Sequence, residues 1–322
     1  MAGNGRSGGG CLVALAALLG LALVCLGAGL LWMVVSSQPQ SVPAEVEPED
    51  APESFEDYSW EELSEISREI ASAGSGDEAA SVALGHGISL GDTRVVTLDD
   101  GTDVLLRVVG LAQDERSDGT GAAGITLLAS PISLRQMSSD PSNEGGWEGS
   151  DLRSWLASEG LDLLPDDLAS VVVPASKRTA SRAVRYGTSD VSGAVTTTDD
   201  CLWVPSLSEL CGSVTLMTDE YGSEPSANTE YVDFAPYDAL LSSEGEQYEF
   251  FRQRGVSGAA EASQALVMSY AGSPCPWWAR TSYPFTYEGS EERFCYQIMS
   301  SGLPSGLVPS TEEAGVVVGL CI

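Results

Sequence analysis

Residues 94–111, RVVTLDDGTDVLLRVVGL, decide the fold class. Arg94 to Leu98 and Asp103 to Leu111 are rich in β-branched residues, and Asp99-Asp100-Gly101-Thr102 between them carries the Asp-Gly step of a tight turn. A β-hairpin is predicted, with a third strand at Gly124 to Ala129 after a polar loop. Helical signals precede it. Ser59-Trp60-Glu61-Glu62 is a capping box: the serine hydroxyl takes an orphan amide while Glu62 reaches back to the serine N–H. Trp60, Leu63, Ile66 and Ile70 then recur at three- and four-residue steps before the glycines at 74 and 76. Such a stripe must lie on something, so residues 59–74 are expected to form a helix docked on the domain.

Further along, short helices are expected at Ser150 to Ala157, from Pro165-Asp166-Asp167, and at Glu244 to Arg252. Strands are expected at Val171 to Pro174, Trp277 to Thr281, Phe294 to Met299 and Val316 to Ile322. The mixed order favours an α+β class, with a largely antiparallel sheet, short helices and long loops.

Towards the N-terminus, residues 11–35, CLVALAALLGLALVCLGAGLLWMVV, carry no charge. A bilayer core takes about 20 helical residues, so this run reads as a transmembrane helix in contact with membrane lipid. Its bulky end, Trp32-Met33-Val34-Val35, favours an uncut anchor over a cleaved signal. Only Arg6 precedes it and the next base is Arg68, which keeps residues 1–10 cytoplasmic by the positive-inside tendency. Residues 36–58, with Pro39, Pro43, Pro48 and Pro52 among acids, read as a solvated stalk. Residues 59–322 then form a single extracytoplasmic domain, and the protein is expected at the cell membrane with that domain outside.

The chain has 47 acidic and 15 basic residues, a net charge of −32. Phosphate backbones are repelled by such a surface, which excludes nucleic acid as a partner. The acids chiefly keep an exposed domain soluble.

Motifs for chemistry are sparse. Gly119-Thr120-Gly121-Ala122-Ala123-Gly124 matches a dinucleotide fingerprint, but it precedes a strand where that chemistry needs a helix. The calcium-loop-like start at Asp114 has Arg116 at a ligand position and Ile125 where a glutamate is required, so a turn is the better reading. His86 is the single histidine, which rules out a multi-histidine metal site. There is no phosphate loop and Lys177 is the single lysine, so kinase chemistry lacks its usual parts, and a serine or cysteine triad would have to rely on His86. No catalytic residue, cofactor site or metal site is assigned. Ser206 and Glu209 stand at capping-box spacing after Leu202-Trp203-Val204. In Pro276-Trp277-Trp278-Ala279-Arg280-Thr281 a strand places Trp278 and Arg280 on one face. An exposed aromatic beside an arginine suits a sugar or peptide, and these two are the candidate ligand contacts; two core tryptophans with a structural arginine is the competing reading.

Taken together, several segments resemble an uncharacterised family of surface domains found mainly in Gram-positive bacteria. They are Asp118 to Thr126, Gly145-Gly146-Trp147 with Arg153, Lys177-Arg178-Thr179, Leu202 to Glu209, Glu244 to Tyr248, Trp277 to Arg280, Phe294-Cys295-Tyr296 and Gly315 to Ile322. Gln113-Asp114 and Val318-Gly319-Leu320 depart from the family pattern. The ending of that family is similar to the C-type-lectin-like fold shared with formylglycine-generating enzymes, which implies a C-type-lectin-like domain here. The resemblance does not carry catalysis over. Cys201 and Cys211 are too far apart in sequence for the copper-holding pair of that superfamily, and Glu224-Pro225-Ser226 is not a calcium-sugar motif. Under this resemblance Cys295 could face Cys321 and Cys201 could reach Cys211 as disulfides, with Cys275 left over. The expected function is non-catalytic binding of an extracellular protein or glycan; a ligand-free envelope module and a diverged enzyme are the alternatives.

Overall fold

The hairpin forms where the sequence puts it. Strand β1 (Thr93–Thr97) pairs antiparallel with β2 (Asp103–Leu111), Val95 opposite Leu105, and the Leu98 N–H donates to the Thr102 carbonyl at 2.8 Å to close the turn. Strand β3 (Ile125–Ala129) pairs with the other edge of β2. The computed structural model describes residues 54–73, 76–142, 144–180, 184–185, 195–222, 233–258, 261–286 and 293–322. Pro52–Ile322 makes up one compact unit.

The remaining strands follow in chain order. They are β4 (Leu134–Gln136), β5 (Ala175–Thr179), β6 (Val184–Arg185), β7 (Thr196–Asp200), β8 (Met268–Tyr270), β9 (Ser273–Cys275), β10 (Trp277–Ser282), β11 (Phe285–Thr286), β12 (Phe294–Ile298), β13 (Pro304–Pro309), β14 (Glu313–Gly315) and β15 (Gly319–Cys321). One sheet has the order β1-β2-β3-β15, and a second has the order β13-β12-β10-β14-β4. Three two-stranded ladders, β5 with β7, β6 with β11 and β8 with β9, lie apart from both.

Helix α1 (Trp60–Ala71) carries the predicted capping box: the Glu62 N–H donates to Ser59 Oγ at 3.3 Å and the Ser59 N–H to Glu62 Oε2 at 2.7 Å. Its stripe of Trp60, Leu63, Ile66 and Ile70 is buried. The helix is bolted down through Ser67, whose hydroxyl accepts from the Ile125 N–H at 3.1 Å and donates to the Ile322 carbonyl. Gly124 makes this approach possible, since a Cβ there would stand 1.8 Å from the Ser67 carbonyl oxygen. Helix α2 (Gly76–Gly85) follows and packs on α1.

Two cores result from period-two alternation. Val108, Leu127 and Trp278 face one core with the α1 stripe, while their neighbours Val109, Leu128 and Trp277 face the other with Phe234, Tyr237 and Phe251. Strands buried on both faces read as unbroken apolar runs, which is why 108–111 and 125–129 show little polar alternation.

Several expectations are corrected. One largely antiparallel C-type-lectin-like sheet is replaced by a mixed α+β arrangement of separate sheets, with β10 and β14 running parallel. The strands are short, and prolines at 131, 174, 205, 274, 276 and 304 sit beside or inside them. A proline has no N–H to give a ladder, so pairing stops and restarts elsewhere. Among the described residues no helix is long and apolar enough to cross a membrane, and the expected transmembrane helix falls outside them. Residues 1–10, the apolar run 11–35 and most of the stalk lie outside the described residues. The last stalk residues are drawn into the domain, with Phe55 buried edge-on to Trp60 at 6.4 Å between ring centroids. The strand expected at Val171 to Pro174 is a single bridge of Val173 to Cys321; the ladder begins after Pro174, at Ala175. The helix expected from Glu244 starts later, as Glu249–Gln253.

The disulfides are not formed either. Among the described residues neither expected bridge is present, and Cys201, Cys211, Cys275 and Cys321 are thiols. Cys295 is on β12 and Cys321 on β15, strands of different sheets, and Cys211 turns into the second core away from Cys201.

The contact at Gly124 yields a test. Gly124→Ala forces α1 away from the sheet, and unfolding experiments should find a loss of about 1–3 kcal/mol. An unchanged melting temperature would show that α1 does not dock on β3.

Candidate functional site

Arg280 lies in the middle of β10, the central strand of its sheet, where all six residues are buried. A guanidinium in that position needs every donor matched. Its NH1 and NH2 groups donate to Glu209 Oε2 and Oε1 at 2.5 and 2.8 Å, a bidentate pair. Nε donates to Thr179 Oγ1 at 3.0 Å, and the Val204, Arg178 and Glu244 carbonyls accept at 3.1 to 3.2 Å.

Glu209 stands on helix α5 (Leu207–Cys211; the helices before it are α3, Asp151–Trp155, and α4, Asp166–Ala169). Its carboxylate closes the capping box by accepting the Ser206 N–H at 2.9 Å, while the Glu209 N–H donates to Ser206 Oγ at 3.2 Å. The same carboxylate accepts Lys177 Nζ at 3.0 Å. Lys177, on β5, gives its other protons to Asp114 and to the Tyr248 hydroxyl at 3.1 Å, and its Nζ sits 4.0 Å from the Trp203 ring centroid. Asp114 in turn accepts from Thr126 Oγ1 at 2.8 Å. Ala112, just before it, adopts a left-handed φ of 50° that turns the chain out of β2. That bend lets Gln113 clamp Gln247 and Glu249 at 3.1 and 3.0 Å, setting the segment that carries Tyr248.

The charges balance within the cluster. Burial pushes the Glu209 carboxyl up, but Arg280 and Lys177 outweigh it and hold it down to about 2. Burial disfavours the charge on Lys177, yet Asp114 and Glu209 raise its affinity for its proton above the usual value. Glu244 is the surplus carboxyl. Burial drives it up to about 7 although Arg280, Thr281 and the Ala180 N–H pull the other way. Both of its oxygens are engaged, one by the Ala180 N–H at 2.8 Å and the other by the Thr281 hydroxyl. Burial, then the charges of Asp114 and Glu209, push the Tyr248 phenol well above its ordinary value.

Above this cluster opens a cleft of about 490 Å³. Lys177, Glu209, Glu244 and Tyr248 form its floor, and Glu115, Arg178, Thr197 and Glu246 its exposed rim. The charged groups of the floor have no unused donor: three Nζ protons meet three acceptors, and the guanidinium is fully engaged. The rim keeps its hydrogen-bonding capacity for solvent or a ligand.

The residues singled out in sequence are placed as follows. Trp278 and Arg280 are both buried and do not form a surface platform. Trp278 donates its Nε1 to the Arg135 carbonyl at 2.7 Å within the first core. Arginine does stack on tryptophan, but elsewhere: Arg135 on Trp155 at 3.9 Å and Arg94 on Trp60 at 4.4 Å. Ser206 and Glu209 cap α5 as their spacing requires. His86 bonds Glu69 Oε2 at 2.9 Å beyond α2. Asp118 and Thr120 shape a turn in which Asp118 pairs with Arg116 at 2.8 Å. Glu224-Pro225-Ser226 lies outside the described residues.

Sequence reasoning did not join Lys177 to Asp114, Tyr248 and Glu244. One signal was present: at period two, Lys177 shares a strand face with Ala175 and Thr179, both buried, so the chain's lone lysine had to be buried with them.

A family model described as Domain of unknown function (DUF6273) matches residues 123–305, more than half of the chain. Lys177, Glu209, Glu244, Tyr248 and Arg280 fall inside that span and Asp114 precedes it. No curated protein and no solved structure matches the chain.

The two glutamates set the pH response. Glu244, raised from 4.5 to about 7, contributes stability that is full below pH 4.5 and lost as pH rises through 7. Glu209, lowered from 4.5 to about 2, contributes stability that is full above pH 4.5 and lost as pH falls towards 2. Melting temperature should therefore peak near about pH 5 and decline towards about pH 8, a loss of up to roughly 3 kcal/mol. Glu244→Gln should flatten the decline; a decline of equal size in that variant would rule out Glu244 as its cause.

Proposed function

Because the chain belongs to the DUF6273 family, for which no activity is given, we propose from the cleft itself that it is a non-catalytic binding module. It takes a polar segment of an extracellular protein or glycan in the cleft above the Lys177–Glu209–Arg280 cluster. The observation that carries this reading is the saturation of the charged groups in the floor. Each charged group there already holds its partners, so the cluster fixes geometry and leaves the rim to make contacts. A general acid or base must reach a substrate proton directly or through one water, and Glu244, the group held near neutrality, has both oxygens committed inward.

Rim chemistry defines what is recognised. Glu115 and Glu246 offer carboxylate acceptors, Arg178 offers donors, and Ser176 and Thr197 add hydroxyls. Hydroxyl-rich and amide-rich surfaces suit such a mixture, with cationic groups favoured by the net charge of −32. Exposure outside the cell is part of the proposal and rests on the uncharged run of residues 11–35 with Arg6 before it.

Glycan and peptide arrays probed with the full chain test it. A ligand should emerge whose affinity falls by about tenfold, roughly 1.4 kcal/mol, in Arg178→Ala and in Glu246→Ala, with melting temperatures unchanged. Absence of any binder, or a binder indifferent to both substitutions, would contradict the reading.

A further inference from the structure

Two arginines on the opposite side of β2 from the first core stand without an acidic partner among the described residues, in a chain whose acids outnumber its bases 47 to 15. Arg107, on β2, and Arg254, just past helix α8 (Glu249–Gln253; α6 is Leu216–Tyr221 and α7 Ala235–Ser242), both lie against the Phe250 ring. Their guanidinium carbons are 5.1 and 4.0 Å from its centroid. They line a cavity of about 230 Å³ whose other walls include Leu105, Leu128 and Met268, and among the described residues no Asp or Glu lines it.

The guanidinium groups are underused. Arg107 donates once, from NH1 to the Gly91 carbonyl at 3.2 Å. Among the described residues the Arg254 guanidinium has no hydrogen bond or ion pair, only its contact with Phe250. The neighbouring carboxylate on α8, Glu249, is taken by Arg252 at 2.6 Å and Gln253 at 2.8 Å. Partial burial, followed by the charge of Arg254, lowers the Arg107 pKa, so the two cations repel each other across the cavity. Like charges held together without a counter-ion are relieved by an incoming anion, and guanidinium forks match a carboxylate two bonds at a time.

We propose that this cavity is a binding site for a small carboxylic acid with a short apolar chain. The carboxylate engages Arg107 and Arg254, and the chain lies against Leu105, Leu128, Phe250 and Met268. Size limits the ligand, because the cavity is below the roughly 300 Å³ at which drug-sized sites begin. The apolar wall separates this ligand from inorganic anions, which gain nothing from it. This site is independent of the cleft above Glu209, and neither proposal needs the other.

Calorimetric titration of the full chain with hexanoate, hexanol and inorganic phosphate tests the assignment. Hexanoate should bind one to one, with hexanol and phosphate each weaker by about tenfold or more. Arg254→Gln, an exposed position, should weaken hexanoate by about tenfold with the melting temperature unchanged. Arg107→Lys keeps the charge but removes the fork and should weaken it as well. Equal binding of hexanol would make the site merely apolar, and equal binding of phosphate would make it merely electrostatic. Either result, absence of hexanoate binding, or indifference to both substitutions would overturn the proposal.

Discussion

One carboxylate, that of Glu209, is asked to satisfy four elements at once. It caps α5, takes both arms of Arg280 from β10, accepts Lys177 from β5, and lies under the 244–248 segment. The backbone at Gly245 passes so close that a Cβ would stand 3.1 Å from Glu209 Cγ. Removing charges from water costs several kcal/mol per ion, and mutual attraction offsets that only where geometry and hydrogen bonding are complete. Completeness is what the cluster shows: two cations, the carboxylates of Asp114 and Glu209, and hydroxyl or carbonyl partners for the remaining donors. The geometry of the β5, α5 and β10 junction, and of the cleft above it, depends on this match.

How much of this was legible depends on the range of the interaction. Both capping boxes, at Ser59 and Ser206, are written in four consecutive residues, and both form. The 94–111 hairpin and the apolar stripe of α1 are likewise local patterns. The Glu209 carboxylate was legible only in its local role, because its ties to Lys177 and Arg280 span 32 and 71 residues. Trp278 and Arg280 were expected on one strand face, but a period-two pattern does not say whether that face meets water. The two cores packed on β10 decide it, by covering both faces. Cysteine spacing failed for the same reason: which strands are neighbours is fixed by long-range pairing and by prolines that interrupt the ladders.

The molecule also sorts its charge. Its lone lysine and one arginine are committed to the interior, and the acids dominate the outside. Against that background the acid-free surroundings of Arg107 and Arg254 stand out, as does a cleft whose rim mixes both signs. Binding surfaces on a rigid support fit a fold in which the buried charges are already satisfied and the exposed ones are not.

The central claim is that the Glu209–Arg280 pair holds this junction together. A double-mutant cycle of Glu209→Gln and Arg280→Met, read by chemical unfolding, measures it directly. The account predicts that each single variant loses about 3–5 kcal/mol, since each leaves a buried charge unpaired, and that the double variant recovers a substantial part of the summed loss. Strictly additive losses would contradict it, because they would mean that the two side chains stabilise the fold without depending on each other.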